Sequence, residues 1–431
     1  MDTHDAMPAP AEPDGTDCGC RDFRTSRRRF LSGLTASAGA AVVTGLVGDV
    51  FTQASFAATT GGNVLVVLSL RGGSDGLSLV VPHGDPAYAA LRPGIAVPTS
   101  RLIARDALFG LHPGFAPLEP LWAAGRFGAV QAVGLAQPNR SHFSAMEAVE
   151  DADPGSSARV GWINRMVGLT GTGLPYGAVQ LGSSLAPTAL VGPTPAIAVR
   201  QLSDIALPGG DDLDFQARVR RSLGSMWTGN ASPMGRAVAS TLTTTAQLTT
   251  LAQADDPPQG GATYPSGDLA SALRQTARLV RADVGTQVVT LDFGSWDMHT
   301  DLGTTDWGEM QDMVDGLARS LQAFFTDLGA LGDRVTVVTI SEFGRTAREN
   351  GNYGTDHGYG NALLLLGAGV RGGQVHGRWP GLSAEETVDG DLAVTHDYRS
   401  VLAEVIASRF PGASLPQVFP GFSPATVGAM R

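Results

Sequence analysis

Carboxylate and imidazole side chains recur in short polar segments between the apolar stretches of the chain. These groups hold divalent cations in proteins: oxygen ligands suit manganese, magnesium or calcium, and added nitrogen favours zinc, manganese or iron. An Asp-His pair alone in a glycine-rich loop is usually a turn, but several such segments together indicate a mixed site for one or two metal ions. A polar rim or a decayed site is the alternative interpretation. The candidate ligands are Asp75, Asp292, Asp297, His299, Glu342, Asp356, His357 and His376.

Ser141 stands where the sequence pattern predicts the start of a helix. In the N-cap role, its hydroxyl accepts from exposed N–H groups and stabilises the helix by about 1 kcal/mol. The same position suits a nucleophile, because the free N–H groups and the helix dipole favour an anion such as a phosphate or sulfate. Arg140 can clamp an oxyanion with two hydrogen bonds, and His142 completes the candidate catalytic set. The N-cap and nucleophile roles both remain open.

Five apolar runs precede or lie between these polar segments, as expected for strands that are buried on both faces. Amphipathic patterns over residues 307–331 and 398–409 predict helices. Strands that alternate with helices predict an α/β fold with a doubly wound, mostly parallel sheet flanked by helices. The polar residues beyond the carboxyl ends of such strands collect in one crevice. The predicted strands span residues 63–70, 127–134, 287–291, 335–340 and 362–366.

The composition changes to polar helical stretches between about residues 209 and 284. This change predicts a helical insertion in the α/β domain. Residues 254–265, which are rich in proline, glycine and aspartate, predict an exposed loop within it.

The charged residues exclude several classes of protein. The 431-residue chain has a net charge of −11 and no basic cluster after its N-terminal region, so capture of nucleic acid is not expected. All 30 basic residues are arginines, which excludes a Schiff-base lysine and a Walker-type phosphate loop.

Cys18 and Cys20 both precede the hydrophobic N-terminal segment, so a domain that begins after it has no disulfide.

The N-terminal region resembles a twin-arginine signal peptide. Residues 26–31 read Ser-Arg-Arg-Arg-Phe-Leu, a mildly apolar run covers residues 33–50, and Ala-Ser-Phe-Ala follows at residues 54–57. We therefore expect residues 1–57 to be a signal peptide and residues 58–431 to be exported by the twin-arginine translocase. The expected location is the periplasm, the cell wall or the exterior, without stable membrane insertion.

The order of the motifs resembles a bacterial family known as domain of unknown function 1501, grouped within the alkaline phosphatase and sulfatase-like superfamily. The resemblance implies an alkaline phosphatase-like α/β domain over residues 58–431. Most of the chain after the leader is covered. The matching segments are residues 65–77, 111–114, 139–143, 292–299, 341–345, 355–358 and 397–399.

The superfamily's enzymes use two metal ions, or one in sulfatases, around a serine, threonine or formylglycine nucleophile that opens a helix. Two adjacent metals activate the nucleophile and hold both oxygens of an in-line displacement, so the resemblance implies hydrolysis of a phosphate or sulfate ester. Carried over position by position, it implies Ser141 as nucleophile, Asp75 as the first-strand ligand, Asp297 with His299 at one metal, Asp356 with His357 at the other, Asp292 as a further carboxylate and His376 as the late histidine.

Three positions depart from the superfamily's pattern. Only Met298 separates Asp297 from His299, so their side chains meet one metal only if the backbone is extended or tightly turned there. Asp75 comes five residues after the predicted end of the first strand. Glu342 stands where the Asp-His pair usually follows its strand, so either Glu342 or Asp356 is the ligand.

Three functions are compatible with these residues. The first is an exported metal-dependent hydrolase that acts through Ser141 on a phosphate or sulfate ester, in a small molecule or a surface polymer. The second is a catalytically silent exported binding or assembly protein with the same fold. The third is a metal-dependent hydrolase in which a metal-bound water attacks.

Overall fold

The computed structural model describes residues 62–153, 156–171, 173–209 and 212–431. The expected signal peptide lies outside the described residues. Among the described helices, none has both the length and the apolar character needed to cross a membrane.

The strands are short, and all of the larger ones coincide with apolar stretches. In chain order, they are β1 (Val64–Leu70), β2 (Val80–Val81), β3 (Gly110–Leu111), β4 (Phe127–Gly134), β5 (Ala178–Leu181), β6 (Ile197–Val199), β7 (Val288–Phe293), β8 (Val335–Ile340), β9 (Asn361–Gly367), β10 (Val375–His376) and β11 (His396–Asp397).

The α-helices lie mainly between the larger strands, and short 3₁₀ turns supplement them. They are α1 (Gly76–Leu79), α2 (Pro86–Leu91), α3 (Glu119–Ala123), α4 (His142–Asp151), α5 (Trp162–Thr170), α6 (Leu213–Trp227), α7 (Pro233–Gln253), α8 (Asp268–Ala282), α9 (Glu309–Leu328), α10 (Tyr398–Arg409) and α11 (Leu415–Val418).

A nine-stranded sheet forms the centre of the molecule, with the order β10-β4-β9-β8-β1-β7-β5-β6 and with β11 also paired to β4. Strand β9 runs antiparallel to β8 and β4, and the other pairs in this sheet are parallel. The predicted mostly parallel α/β sheet is therefore confirmed. Because β9 is reversed, the residues before it lie at the edge where its neighbours end.

Helices cover both faces of the sheet, which explains the nearly continuous apolar strands. All seven residues of β1 are buried. Val66 and Leu68 pack in a hydrophobic cluster with α8 and α9, whereas Leu65 and Val67 pack in another with α4, α5 and α10. This alternation follows from the two-residue repeat of a strand.

The predicted helices have closely matching counterparts. Residues 398–409 form α10, and the pattern over 307–331 corresponds to α9 followed by a 3₁₀ helix, Gly329–Arg334. Between residues 209 and 284 the structure contains α6, α7 and α8. Residues 254–265 form a mostly exposed loop tied to α9, because the Gln259 amide and the Tyr264 hydroxyl donate to Asp327 at 2.7 and 2.9 Å.

Candidate metal centre

Loops at one edge of the sheet bring together four side chains from three separate segments of the chain. His142 is the first residue of α4, which follows β4, and Asp297 and His299 lie in the loop after β7. His357 precedes β9, whose amino end lies at this edge because the strand is reversed. The carboxyl edge of a parallel sheet therefore gains a ligand from the one antiparallel strand.

The three imidazoles direct their Nε2 atoms at a common point. The Nε2 atom of His357 is 3.0 Å from that of His142 and 3.0 Å from that of His299. Asp297 Oδ1 is 3.1 Å from His299 Nε2, and its Oδ2 is 3.4 Å from His142 Nε2. Ligands about 2.1 Å from a tetrahedral zinc ion lie about 3.4 Å apart. One ligand atom each from His142, Asp297 and His357 lie within 4.8 Å of one another, which suits a single cation, and His299 borders this group through His357 and Asp297.

The second nitrogen of each imidazole faces an oxygen acceptor. His357 Nδ1 is 2.8 Å from the Arg140 carbonyl, and His299 Nδ1 is 2.8 Å from Asp356 Oδ1. Because a carbonyl only accepts, His357 carries its proton on Nδ1 and leaves a lone pair on Nε2. The Asp356 carboxylate favours the same tautomer of His299. A metal ion can accept lone pairs of this kind from several imidazoles at once, so the donor set fits a metal ion.

The pKa shifts favour the ligand forms of these groups. Burial lowers the pKa of His357, and the neighbouring His142 and Arg345 act in the same direction. Burial tends to raise the pKa of Asp297, but the hydrogen bond and charge of Arg345 outweigh it and lower the pKa. Burial likewise opposes a lowered pKa of Asp356, which hydrogen bonds from His299 and Asn350 produce. Neutral imidazoles and ionised carboxylates are the forms that bind metals.

The backbone conformation at residues 297–299 explains how Asp297 and His299 face the same side although only Met298 separates them. It is not helical: the Met298 amide donates to the Trp296 carbonyl at 2.9 Å, and the His299 amide to that of Asp297 at 3.0 Å. Met298 is buried, whereas Asp297 and His299 both reach the imidazole of His357. A tightly turned segment therefore puts both ligands on one side.

Arg345 supports the site through hydrogen bonds, a role that was not predicted from the sequence. The guanidinium is buried and donates to the carbonyls of Gly72, Gly73 and Trp296 and to the Asp297 carboxylate. It therefore joins the turn after β1 to the loop after β7. The position of Arg345 after a strand is visible in the sequence, but the carbonyls that its buried guanidinium reaches are not.

Phe343 is a second residue whose role was not predicted. Its ring centroid lies 4.9 Å from that of His142 and 4.8 Å from that of His357. The ring occupies space left by Gly73, where a Cβ atom would come within 2.6 Å of it. Phe343 therefore packs against two of the converging imidazoles.

Glu342 and Asp356, between which the sequence did not decide, occupy comparable positions. Glu342 is buried, and its two oxygens accept from the amides of Gly72 and Gly73, both at 2.9 Å. Its Oε1 also lies 3.5 Å from His142 Nδ1. Asp356 faces Nδ1 of His299. Each carboxylate therefore contacts a converging imidazole on the side away from the common point.

The structure does not bring Asp75 or Asp292 into this group. The Asp75 carboxylate forms a buried ion pair with Arg92 and accepts from Ser78 Oγ at 2.6 Å. Asp292 belongs to β7 itself, because that strand continues to Phe293, and it accepts from Arg71 Nε at 2.7 Å. Each of these expected ligands instead forms an ion pair with an arginine: Asp75 with Arg92, and Asp292 with Arg71.

His376 is also placed elsewhere. It follows β9, whose carboxyl end lies at the opposite edge of the sheet, and it pairs with Val130 in the middle of β4. Its Nε2 is 2.6 Å from the Arg371 carbonyl. The expectation that His376 joins the other ligands assumed that the fifth strand is parallel, and the structure corrects that assumption.

Ser141 and Arg140 border the converging imidazoles. Ser141 is the exposed N-cap residue of α4, and its side chain makes no capping hydrogen bond. The guanidinium of Arg140 forms an ion pair with the buried Asp391, while its carbonyl accepts from His357. Ser141 therefore stands in the chain between two residues that contact the cluster, and its hydroxyl makes no N-cap bond.

A family model described as "Protein of unknown function (DUF1501)" matches residues 123–400. The search of curated proteins gave no match.

Several solved structures are similar to this chain at low sequence identity. The C-terminal periplasmic domain of EcEptC from Escherichia coli, solved in complex with Zn, has 9% identity and a TM-score of 0.37, covering 85% of this chain and 88% of its own. PsFucS1 sulfatase from Pseudoalteromonas sp. has 12% identity and a TM-score of 0.36, with coverages of 86% and 73%. A protein in the alkaline phosphatase superfamily from Vibrio parahaemolyticus has 13% identity and a TM-score of 0.33, with coverages of 80% and 70%.

Proposed function

We propose that this chain, which belongs to the DUF1501 family of proteins of unknown function, is an exported metal-dependent hydrolase of phosphate or sulfate esters. The observation that carries the proposal is the convergence of three imidazole Nε2 atoms and one carboxylate, with oxygen acceptors on the outer nitrogens of the imidazoles. A divalent cation at this point would accept the Nε2 lone pairs and offset the charge of Asp297. Its position at the carboxyl edge of the sheet is where enzymes of this fold class bind substrates.

The proposed ligands are His142, Asp297, His299 and His357, with Glu342 and Asp356 as their outer partners. Three nitrogen donors favour zinc, manganese or iron over calcium or magnesium. When bound, such a cation supplies Lewis acidity toward the oxygens of the ester. Arg345 fixes the Asp297 carboxylate, and the Arg140 carbonyl and the Asp356 carboxylate fix the orientation of His357 and His299.

Ser141 is the proposed nucleophile, because its chain neighbours Arg140 and His142 both contact the cluster and its hydroxyl makes no capping bond. Attack by Oγ forms a bond to phosphorus or sulfur and breaks the ester bond. The hydroxyl proton then leaves with the alcohol, and water hydrolyses the seryl ester to restore Ser141 and release the inorganic anion. The amino end of α4 stabilises the negative charge that gathers beside it.

Elemental analysis of the full chain, purified without chelator or affinity metal, tests the metal centre. We expect about one equivalent of zinc, manganese or iron, lost in His357→Ala and kept in His376→Ala, whose imidazole lies outside the cluster. Metal-free protein that cannot be reloaded would contradict the hydrolase and favour the binding or assembly protein.

Turnover of p-nitrophenyl phosphate and p-nitrophenyl sulfate by the metal-loaded chain tests the nucleophile. We expect Ser141→Ala to lower kcat by at least about 10³-fold while metal content is unchanged. Ser144→Ala, which removes a nearby exposed hydroxyl of α4, should keep most of the activity. Metal-dependent turnover that survives Ser141→Ala would show that water attacks directly.

Export through the twin-arginine translocase is part of the proposal and has its own test. Replacing Arg27 and Arg28 together by lysine keeps the charge of the leader but removes the arginine pair. We expect the variant to remain in the cytoplasm, whereas Arg21→Lys, outside the pair, is exported. Equal export of both variants would contradict this route.

A further inference from the structure

An exposed aromatic pair lies beside the candidate metal centre. The rings of Trp307 and Tyr353 pack edge to face with centroids 5.6 Å apart, and the two residues are 43% and 53% exposed. Such pairs have a preferred geometry and present a large apolar surface. Two large aromatic side chains exposed together in one place indicate a binding surface more than two scattered ones do.

Tyr353 of this pair has a strained backbone conformation and a closely packed ring. Tyr353 has a φ of 55°, which is unusual for a bulky residue. Its ring packs against Gly94, where a Cβ atom would come within 2.8 Å of the ring. Strained residues of this kind persist where the surroundings fix them, and they cluster at ligand sites. The pair is therefore a prearranged surface.

The same loops hold the metal centre and the aromatic pair. Gly354, next to Tyr353, packs so closely on His299 that a Cβ atom there would come within 2.3 Å of its carbonyl carbon. The side chain of Asn350 donates to the His299 carbonyl at 2.8 Å. A substrate whose reactive group lies at the centre therefore has the aromatic pair within reach of its next chemical group.

Asp301 lies in a segment whose backbone is hydrogen-bonded to the loop of Tyr353. Asp301 is exposed, its amide donates to the Asn352 carbonyl at 3.1 Å, and its side chain makes no hydrogen bond or ion pair within the described part of the chain. An unpaired carboxylate repels the anionic ester group but accepts strongly from hydroxyl groups. Aromatic rings next to such an acceptor match the apolar faces and hydroxyl edges of a sugar ring.

We propose that Trp307, Tyr353 and Asp301 form a saccharide subsite, so that the substrate is a phosphate or sulfate ester carried on a sugar. This inference rests on the proposed hydrolase, because it names that enzyme's substrate class. The sugar ring lies against the aromatic pair, its hydroxyl groups donate to Asp301, and the ester group lies at the metal centre.

Titration calorimetry with three neutral hexasaccharides, cellohexaose, maltohexaose and chitohexaose, tests the subsite without any ester. The full chain is used with excess chelator, so that binding does not depend on the metal. We expect at least one saccharide to bind, and Trp307→Ala, Tyr353→Ala and Asp301→Asn each to weaken its binding at least tenfold. Tyr353→Phe, which keeps the ring, and Phe143→Ala, which removes an exposed aromatic residue next to His142, should bind as the parent chain does.

Binding of none of the three saccharides, or binding that the Trp307 and Tyr353 substitutions leave unchanged, would overturn the subsite. Asp301→Asn keeps the size of the side chain and guards against loss of folding as the explanation. Saccharide binding by a chain that elemental analysis finds metal-free without chelator, and that cannot be reloaded, would retain the subsite and refute the hydrolase. Turnover of p-nitrophenyl esters without saccharide binding would retain the hydrolase and refute the subsite.

Discussion

His299 and His357 show how single side chains at this site depend on partners outside the cluster. Each directs Nε2 to the common point only while Nδ1 faces a fixed oxygen, which is the Asp356 carboxylate for one and the Arg140 carbonyl for the other. The outer oxygen sets the tautomer, the ring orientation and the basicity of the donor. The substitution of an outer partner should therefore weaken metal binding without removing a ligand.

Asp356→Ala is expected to weaken metal affinity by about 10–100-fold, because Nδ1 of His299 loses the acceptor that fixes its tautomer. The dissociation constant for zinc, measured by competition with a chromophoric chelator, checks this. Asp306→Ala is the control, since its exposed carboxylate pairs with Arg101. Equal affinities of the two variants would show that Asp356 does not support His299.

His112 supplies a pH-dependent contribution to stability away from the metal centre. It is fully buried, its Nδ1 accepts from the Gly114 amide at 3.1 Å, and burial lowers its pKa to about 4. A lowered histidine pKa gives stability that is present above the unfolded pKa of about 6.5 and is lost as the pH falls toward 4.

Between pH 6.5 and 4, His112 should account for the loss of about 3 kcal/mol of the free energy of unfolding. His112→Asn keeps an N-cap acceptor but does not titrate in this range. Urea unfolding at several pH values should show a shallower pH dependence for the variant. Parallel curves for the variant and the parent chain would contradict the assignment.

At the scale of elements, the turn after β1 joins the loops around the centre. Gly72 and Gly73 have φ values of 113° and 71°, their amides donate to Glu342, and their carbonyls accept from Arg345. A Cβ atom on Gly72 would lie 2.6 Å from the Asp297 amide nitrogen. The chain therefore needs glycine here both for the backbone conformation and for the close approach.

Gly72→Ala should cost at least about 2 kcal/mol of the free energy of unfolding and should weaken metal binding, because the clash displaces Asp297. Gly261→Ala is the matched control, since Gly261 also has a positive φ but no neighbour within 4 Å of the added Cβ. That control should lose about 1 kcal/mol and keep its metal affinity. Urea unfolding and metal titration of both variants distinguish the two effects. Gly261→Ala reports the cost of a positive φ alone, and Gly72→Ala adds the clash with Asp297.

The elements were easier to predict than the direction of one strand. Five strands of the sheet coincide with the predicted apolar runs, since burial on both faces leaves few polar positions, whereas the short strands β5 and β6 were not predicted. The direction of β9 could not be predicted in this way, because the apolar pattern of a buried strand is the same whether the strand is parallel or antiparallel to its neighbours. His357 thus reached the site from before β9, and His376, predicted from after it, did not. Asp292 was misplaced for a simpler reason: β7 extends to Phe293, beyond its most apolar part.

For the whole molecule, metal binding should raise the free energy of unfolding. At a zinc concentration one hundred times the dissociation constant, the increase is about 2.7 kcal/mol, provided that the unfolded chain does not bind the metal. Thermal unfolding with zinc and with chelator should differ for the parent chain and for His376→Ala, but not for His357→Ala. A zinc response in His357→Ala would place the stabilising ion elsewhere.

The residues that meet at the centre come from distant parts of the chain: 215 positions separate His142 from His357, and 58 separate His299 from His357. An ion held by all three closes two long loops, as a covalent cross-link does, and restricts the unfolded chain. The described residues contain no cysteine, so no disulfide does this work there. A bound ion would therefore act as a reversible cross-link. Its dissociation rate would report how often the segments that carry its ligands separate.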